Sequence, residues 1–285
     1  MKHELRYTIY FTLAVLLTGL IALLAGPYAI VQSSGLADEN PFVVLSIVIA
    51  SMSIGTFAFV KFQKRITAVW FDVIMIFAFT QAITMFVRLF VEAPGWVFAL
   101  IWFSVYVVLY WGLLRPMQVR LENMFVLAHV WNFFMAFAFL GLGIQLGYLL
   151  PVWASIFLLT VASVYDWYAV HKSKHMVGLA QFFLKRRLFP GFIMLKSDLK
   201  FAMLGGGDVF FIVLLSVGLL KVSPVLAWFG FGGMMLGLIW LYLVSSKSKF
   251  YPALPPIAAG LFAGVGVGLV LQMFNVVKTV CEVLI

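Results

Sequence analysis

Three acidic residues stand within long apolar stretches of this chain: Asp72, Asp166 and Asp208. An acid deep in a membrane helix costs on the order of 2.5–3.5 kcal/mol on insertion scales, so those that remain there are functional candidates. Asp166 lies six residues before Lys172, the first cation at the end of its stretch. At about 1.5 Å per helical residue, that puts it roughly 9 Å inside the boundary. Asp208 follows Lys200 by eight residues on the return stretch; the Gly205-Gly206-Gly207 run prevents the same calculation, and Asp208 is expected at or near the first turn of its helix. Opposite helix directions bring both carboxyls to a similar depth. Two carboxyls that meet in a low-dielectric site do not both ionise comfortably and share a proton. Such a pair suits peptide hydrolysis: one member takes a proton from water while the other polarises the scissile carbonyl. Spacing alone leaves a second reading open, in which the two acids satisfy separate polar contacts between helices.

The neighbours of these acids narrow the choice. Gly205, Gly206 and Gly207 directly precede Asp208. Glycine permits close backbone approach, so a strand-like substrate could lie there; a plain flexible loop end is the other reading. Pro252, Ala253, Leu254, Pro255 and Pro256 open the last apolar stretch, three residues after Lys249. Three prolines remove three backbone donors. They predict non-helical backbone at membrane depth, tolerated where protein covers it or where it lines a watery cavity. An ordinary helix start with proline in the first turn is the alternative.

Taken together, Tyr165-Asp166, Gly205-Gly206-Gly207-Asp208 and Pro252-Ala253-Leu254 resemble the three signature motifs of the presenilin and signal-peptide-peptidase family of intramembrane aspartyl proteases. Lys174-His175-Met176 followed by Leu179-Ala180 is similar to archaeal presenilin homologues. The resemblance covers the whole chain. It implies that Asp166 and Asp208 are the catalytic pair and that Tyr165 packs beside them. It also implies that Gly205, Gly206 and Gly207, with Pro252, Ala253 and Leu254, shape the site and engage substrate. The chain departs at Gly206, where presenilins usually carry leucine.

The elements that must hold these residues follow from composition. Of 285 residues, 65% are hydrophobic and 10% charged. A soluble domain is about half apolar and a quarter charged, so this composition excludes a water-soluble globule, a disordered chain and a collagen. The long apolar runs also exclude an alternating β-barrel. An all-α polytopic membrane protein remains. Nine spans are expected, at about 7–31, 42–60, 66–87, 95–114, 123–146, 150–170, 207–222, 224–244 and 252–277, with a loop over 171–206. The whole chain, 1–285, reads as a single domain.

The basic residues set its sidedness. With the N-terminus cytoplasmic, 16 of the 19 Lys and Arg face the cytoplasm, and only Arg88, Lys221 and Lys278 lie outside. The C-terminus is then outside. That polarity matches the presenilin branch of the family and turns the net charge of +9 into a statement about topology. It carries no expectation of nucleic acid. The expected setting is the plasma membrane of a prokaryote.

Within the 171–206 loop, Met176, Leu179, Phe182 and Phe183 predict a short amphipathic helix on the inner leaflet. Phe192 to Leu195, a polar Lys196-Ser197-Asp198 turn and Leu199 to Met203 suit a hairpin at the membrane surface. Asp72 reads as a structural or snorkelling acid. His129, Asn132, Gln272 and Asn275 read as interhelical hydrogen-bonding groups. Gly233 with Gly237, Gly260 with Gly264, and Gly264 with Gly268 are small pairs four apart that predict close helix packing. One cysteine, Cys281, and the scattered histidines predict no disulfide, metal or other cofactor.

The expected activity is therefore intramembrane proteolysis of transmembrane protein or peptide substrates within the lipid bilayer, with homo-oligomerisation left open. A proton-coupled transporter or channel that uses the three aspartates as a relay is the rival, and a non-catalytic scaffold the third class. No inverted repeat of broken helices supports a transporter.

Overall fold

Wherever the expected spans are described, they fold as helices apart from a few residues at their ends. The structure is a computed structural model and describes residues 2–32, 97, 100, 104, 124–172, 191–195, 201–244 and 251–274. Six helices occur among them: α1 (Lys2–Gln32), α2 (Met124–Leu149), α3 (Val152–His171), α4 (Gly206–Leu220), α5 (Pro224–Val244) and α6 (Leu254–Met273). They match the first and the fifth to ninth expected spans to within a few residues. By length and composition, α2, α3, α5 and α6 can cross a membrane, while Ile9–Leu24 in α1 and Gly206–Leu220 are shorter apolar helices. The second to fourth expected spans, the surface helix after Lys172, Asp72, Asn275 and Cys281 lie outside the described residues, apart from single helical positions at 97, 100 and 104.

Local chemistry sets the boundaries. Pro151 separates α2 from α3 and is the N-cap residue of α3; its ring disfavours helical backbone at Leu150 before it. Pro224 opens α5, where a missing N–H costs nothing. The end of α2 is closed by Lys221 from the turn after α4. Its Nζ donates to the carbonyls of Tyr148 at 2.7 Å and Leu150 at 2.5 Å. A cation there satisfies carbonyls that the helix itself leaves unpaired.

Helix α4 is the hub. It packs against α1, α2, α3 and α5, and most of its side chains are buried, Ile212, Leu214 and Leu215 fully. A helix apolar on every face is suited to that central position. Glycines set the closest approaches. A Cβ at Gly147 would lie 2.6 Å from the Leu214 carbonyl oxygen, so α2 and α4 meet backbone to backbone. Between α5 and α6 the expected small pairs do the same: a Cβ at Gly233 would run into the Gly260 carbonyl, and one at Gly264 into that of Phe229. Lipid offers no hydrophobic drive for helix association, so such contact supplies the van der Waals attraction.

The expected hairpin is present. β1 (Gly191–Leu195) and β2 (Phe201–Gly205) pair antiparallel, Gly191 opposite Gly205 and Leu195 opposite Phe201. The second strand sits two residues later than the apolar run at 199–203 suggested. The pairing carries it to Gly205, so β2 enters α4 with no intervening loop.

Candidate active site

The expected site residues fall at or near helix and strand ends. Asp166 lies on α3, just over one turn before its C-terminus at His171. Asp208 lies in the first turn of α4, whose N-cap residue is Gly205. Pro252 and Ala253 are non-helical, and Leu254 begins α6 with Pro255 and Pro256 in its first turn. Both readings of that segment thus hold in part: prolines stand in the first turn of the helix, and Pro252 before it is irregular while Ala253, with αR dihedrals, is the N-cap.

The tertiary fold brings these ends together. The backbone N–H of Leu254 donates to Asp166 Oδ2 at 3.2 Å, and that of Ala253 also reaches the same carboxyl. The reason lies in the helix start. Helix N-termini leave backbone donors unpaired. The N-cap residue Ala253 makes no side-chain cap, and prolines 255 and 256 carry no N–H. The Leu254 N–H is the donor left over, and Asp166 from α3 caps it. Asp208 does the same within its own helix, its carboxyl reaching back to the Gly205 N–H. That is the return half of a capping box. Both carboxyls therefore face the positive end of a helix, and each lies within electrostatic reach of the other.

The three glycines differ in what surrounds them. A Cβ at Gly205 would lie 3.0 Å from Asp208 Oδ2 and crowd the carboxyl. A Cβ at Gly206 would overlap the ring of Phe139 from α2, so an aromatic ring fills the space that a side chain would need. Gly207 has nothing within 4 Å of such a Cβ. Tyr165 adjoins Asp166 in sequence and is 41% exposed, on a stretch of α3 where Val164, Trp167 and Tyr168 are also exposed.

Two polar residues join the site that sequence reading did not place there. Tyr242 of α5 lies within electrostatic reach of Asp208, and its ring stacks on Phe11 at 6.3 Å between centroids. A phenol in an otherwise apolar helix was the available signal. Asn132 of α2, expected to bond between helices, bonds α1 through Tyr10 but also holds a strand. Its Nδ2 donates to the Ile193 carbonyl at 2.6 Å and to the Tyr10 hydroxyl at 3.0 Å, and its Oδ1 accepts the Ile193 N–H at 2.7 Å. Gln272 bonds Ser223 at 2.5 Å, at the end of the α5–α6 pair away from Leu254, and the His129 ring meets Tyr10 edge-on.

Comparison with known proteins bears on this arrangement. The model of the family described as signal-peptide peptidase, presenilin aspartyl protease matches residues 11–209, a stretch that holds both aspartates and ends before Pro252. Two solved structures described as a presenilin family intramembrane aspartate protease, in C222 and P2 space groups, share the fold. They superpose with TM-scores of 0.60 and 0.61 at 20% identity, covering 92% and 91% of this chain and 97% and 96% of theirs. Among curated proteins nothing matches.

Proposed function

Because the chain belongs to the signal-peptide peptidase and presenilin family, and is an intramembrane aspartic protease, we propose that Asp166 and Asp208 are its catalytic pair and transmembrane segments of other proteins its substrates. The observation that carries this reading is the convergence of α3, α4 and the 252–254 segment on the two carboxyls. One aspartate takes a proton from a water, whose oxygen attacks the scissile carbonyl carbon. The other donates a proton toward the carbonyl oxygen. Collapse of the tetrahedral intermediate breaks the C–N bond, and the amine leaves with a proton.

A helical substrate hides its peptide bonds in internal hydrogen bonds, so it must unwind before attack. The unwound segment adds beside β2 as a further strand. Support comes from β2 ending at Gly205, three residues before Asp208. Gly207, Pro252 and Ala253 line the path and Tyr165 adjoins it, while Gly206, covered by the Phe139 ring, lets the chain pack closely behind it. Membership of a protease family sets the transporter reading aside.

The finer layout belongs to the same reading. The whole chain, 1–285, forms one nine-span, multi-pass domain in a prokaryotic plasma membrane, N-terminus cytoplasmic and C-terminus outside. The charge asymmetry of its loops supports it. Water reaches the dyad from the cytoplasmic side. No nucleic acid takes part, and self-association is compatible with the fold.

The test is paired substitution. Asp166→Asn and Asp208→Asn, each reconstituted with a transmembrane substrate, should abolish cleavage while leaving thermal unfolding close to wild type. Normal proteolysis by either variant would remove the dyad assignment.

A further inference from the structure

We propose that Asn132 is a positioning residue of the protease: its carboxamide closes the outer edge of β1 at Ile193, so that a substrate strand adds only beside Met203 of β2, in one register. This rests on the strand-addition reading above.

The hydrogen bonds carry the inference. In an antiparallel pair, each residue points both its N–H and its C=O either toward the partner strand or away from it. Both main-chain groups of Ile193 are taken by Asn132, so both point away from β2. Ile193 and Met203 face each other in the register, and theirs is then a non-hydrogen-bonded pair. The ladder runs instead through Phe192 with Leu204 and Met194 with Ala202. By the same alternation, the N–H and C=O of Met203 point to the opposite edge. Among the described residues no backbone bond outside the strands reaches them.

The hairpin thus has two edges of the same pattern. A carboxamide presents one donor and one acceptor side by side, as a peptide group does. Asn132 therefore does to β1 what a neighbouring strand would do, and it ends pairing on that side. The amide cannot turn round without setting Oδ1 against a carbonyl. Its second N–H is held by Tyr10, and the residue is 4% exposed.

The clamp also sets position. Helix α2 carries Asn132 and packs on α4 through Gly143 and Gly147. Helix α4 carries Asp208. The height of the hairpin against the dyad is therefore set through one helix pair, and with it the peptide bond that a strand paired at Met203 presents.

The experiment uses the full chain in proteoliposomes with a transmembrane substrate, reading product masses, KM and kcat. Asn132→Leu fills the site yet offers neither donor nor acceptor. It should spread cleavage over neighbouring bonds and raise KM by about tenfold, the effect of roughly one net hydrogen bond. Asn132→Asp should show the same spread at alkaline pH, once its buried carboxyl ionises. It should narrow toward the wild-type product ratio as pH falls, because a protonated carboxyl again donates and accepts. A ratio of products does not depend on the overall rate, so the dyad's own pH profile does not disturb it.

A folded Asn132→Leu enzyme with wild-type KM and a single wild-type cut overturns the proposal. Should that variant fail to fold, disulfide trapping on an otherwise wild-type hairpin decides. In a Cys281→Ser background, a cysteine scan of the substrate should trap with Met203→Cys and not with Ile193→Cys. Trapping at Ile193→Cys overturns the edge assignment. Trapping at neither position, in enzyme that still cleaves, removes the strand-addition reading itself, and a wild-type chain without cleavage removes the function.

Discussion

The main-chain N–H of Leu254 donates to the Oδ2 of Asp166 at 3.2 Å, across 88 residues of chain. A helix start thus holds a catalytic candidate on another helix. Proline is tolerated at the first position of a helix, where its missing N–H would be unpaired anyway. Leu254→Pro should therefore keep α6 while losing this donor and the buried side chain, and it also pushes Ala253 out of its αR backbone. Leu254→Ala keeps the donor and loses the buried side chain, so it serves as the comparison. A hydrogen bond to a charged group contributes about 1.5–3 kcal/mol. Cleavage by the proline variant should fall about tenfold or more below that of the alanine variant. Equal kcat values would show that the contact only starts a helix.

Gly206 and Phe139 share one volume. Gly206→Leu alone should destabilise the fold by about 1–3 kcal/mol through overpacking. Combining it with Phe139→Ala should recover part of that loss, because the ring tip is what the new side chain meets. A double-mutant cycle read by thermal unfolding measures the coupling. Strict additivity would mean that the two positions do not compete.

At the α5–α6 contact, a Cβ on Gly260 would run into the Gly233 carbonyl, and backbone cannot swing aside. Gly260→Ala should lower stability by about 1–3 kcal/mol and also reduce cleavage, since α6 begins at Leu254. Gly266 on the same helix has nothing within 4 Å of such a Cβ. Gly266→Ala should be neutral, or stabilising by about 0.5–1 kcal/mol from helix propensity. Melting temperatures of the two variants that moved together would refute close packing as the reason for Gly260.

Lys221 caps α2 from the end of α4 opposite Asp208. Lys221→Met should cost about 0.3–1 kcal/mol, reduced by the exposure of the lysine to solvent. The kcat for a transmembrane substrate should not change. A large loss of turnover in a stably folded variant would show that this end of the molecule communicates with the dyad.

Much of the architecture was legible along the chain. A membrane helix must satisfy its own backbone within one segment, so apolar length marks it out; α2 to α6 lie close to where that rule puts them. The hairpin was legible from two apolar runs about a polar turn. Its register was not, because pairing depends on contacts such as that of Asn132 with Ile193, 61 residues away.

The aspartates stood out by themselves, because an acid in an apolar stretch is costly enough to be rare. What the sequence determined was therefore which residues are polar where polarity is expensive, and which segments are apolar enough to form membrane helices. Only the tertiary structure decided that Asp166 caps α6, that Phe139 occupies the space beside Gly206, and that Asn132 closes one edge of the hairpin. Each is a meeting of groups far apart in the chain. Such meetings are settled by how helices pack and by which buried donors lack a local partner, and neither is written in the order of residues.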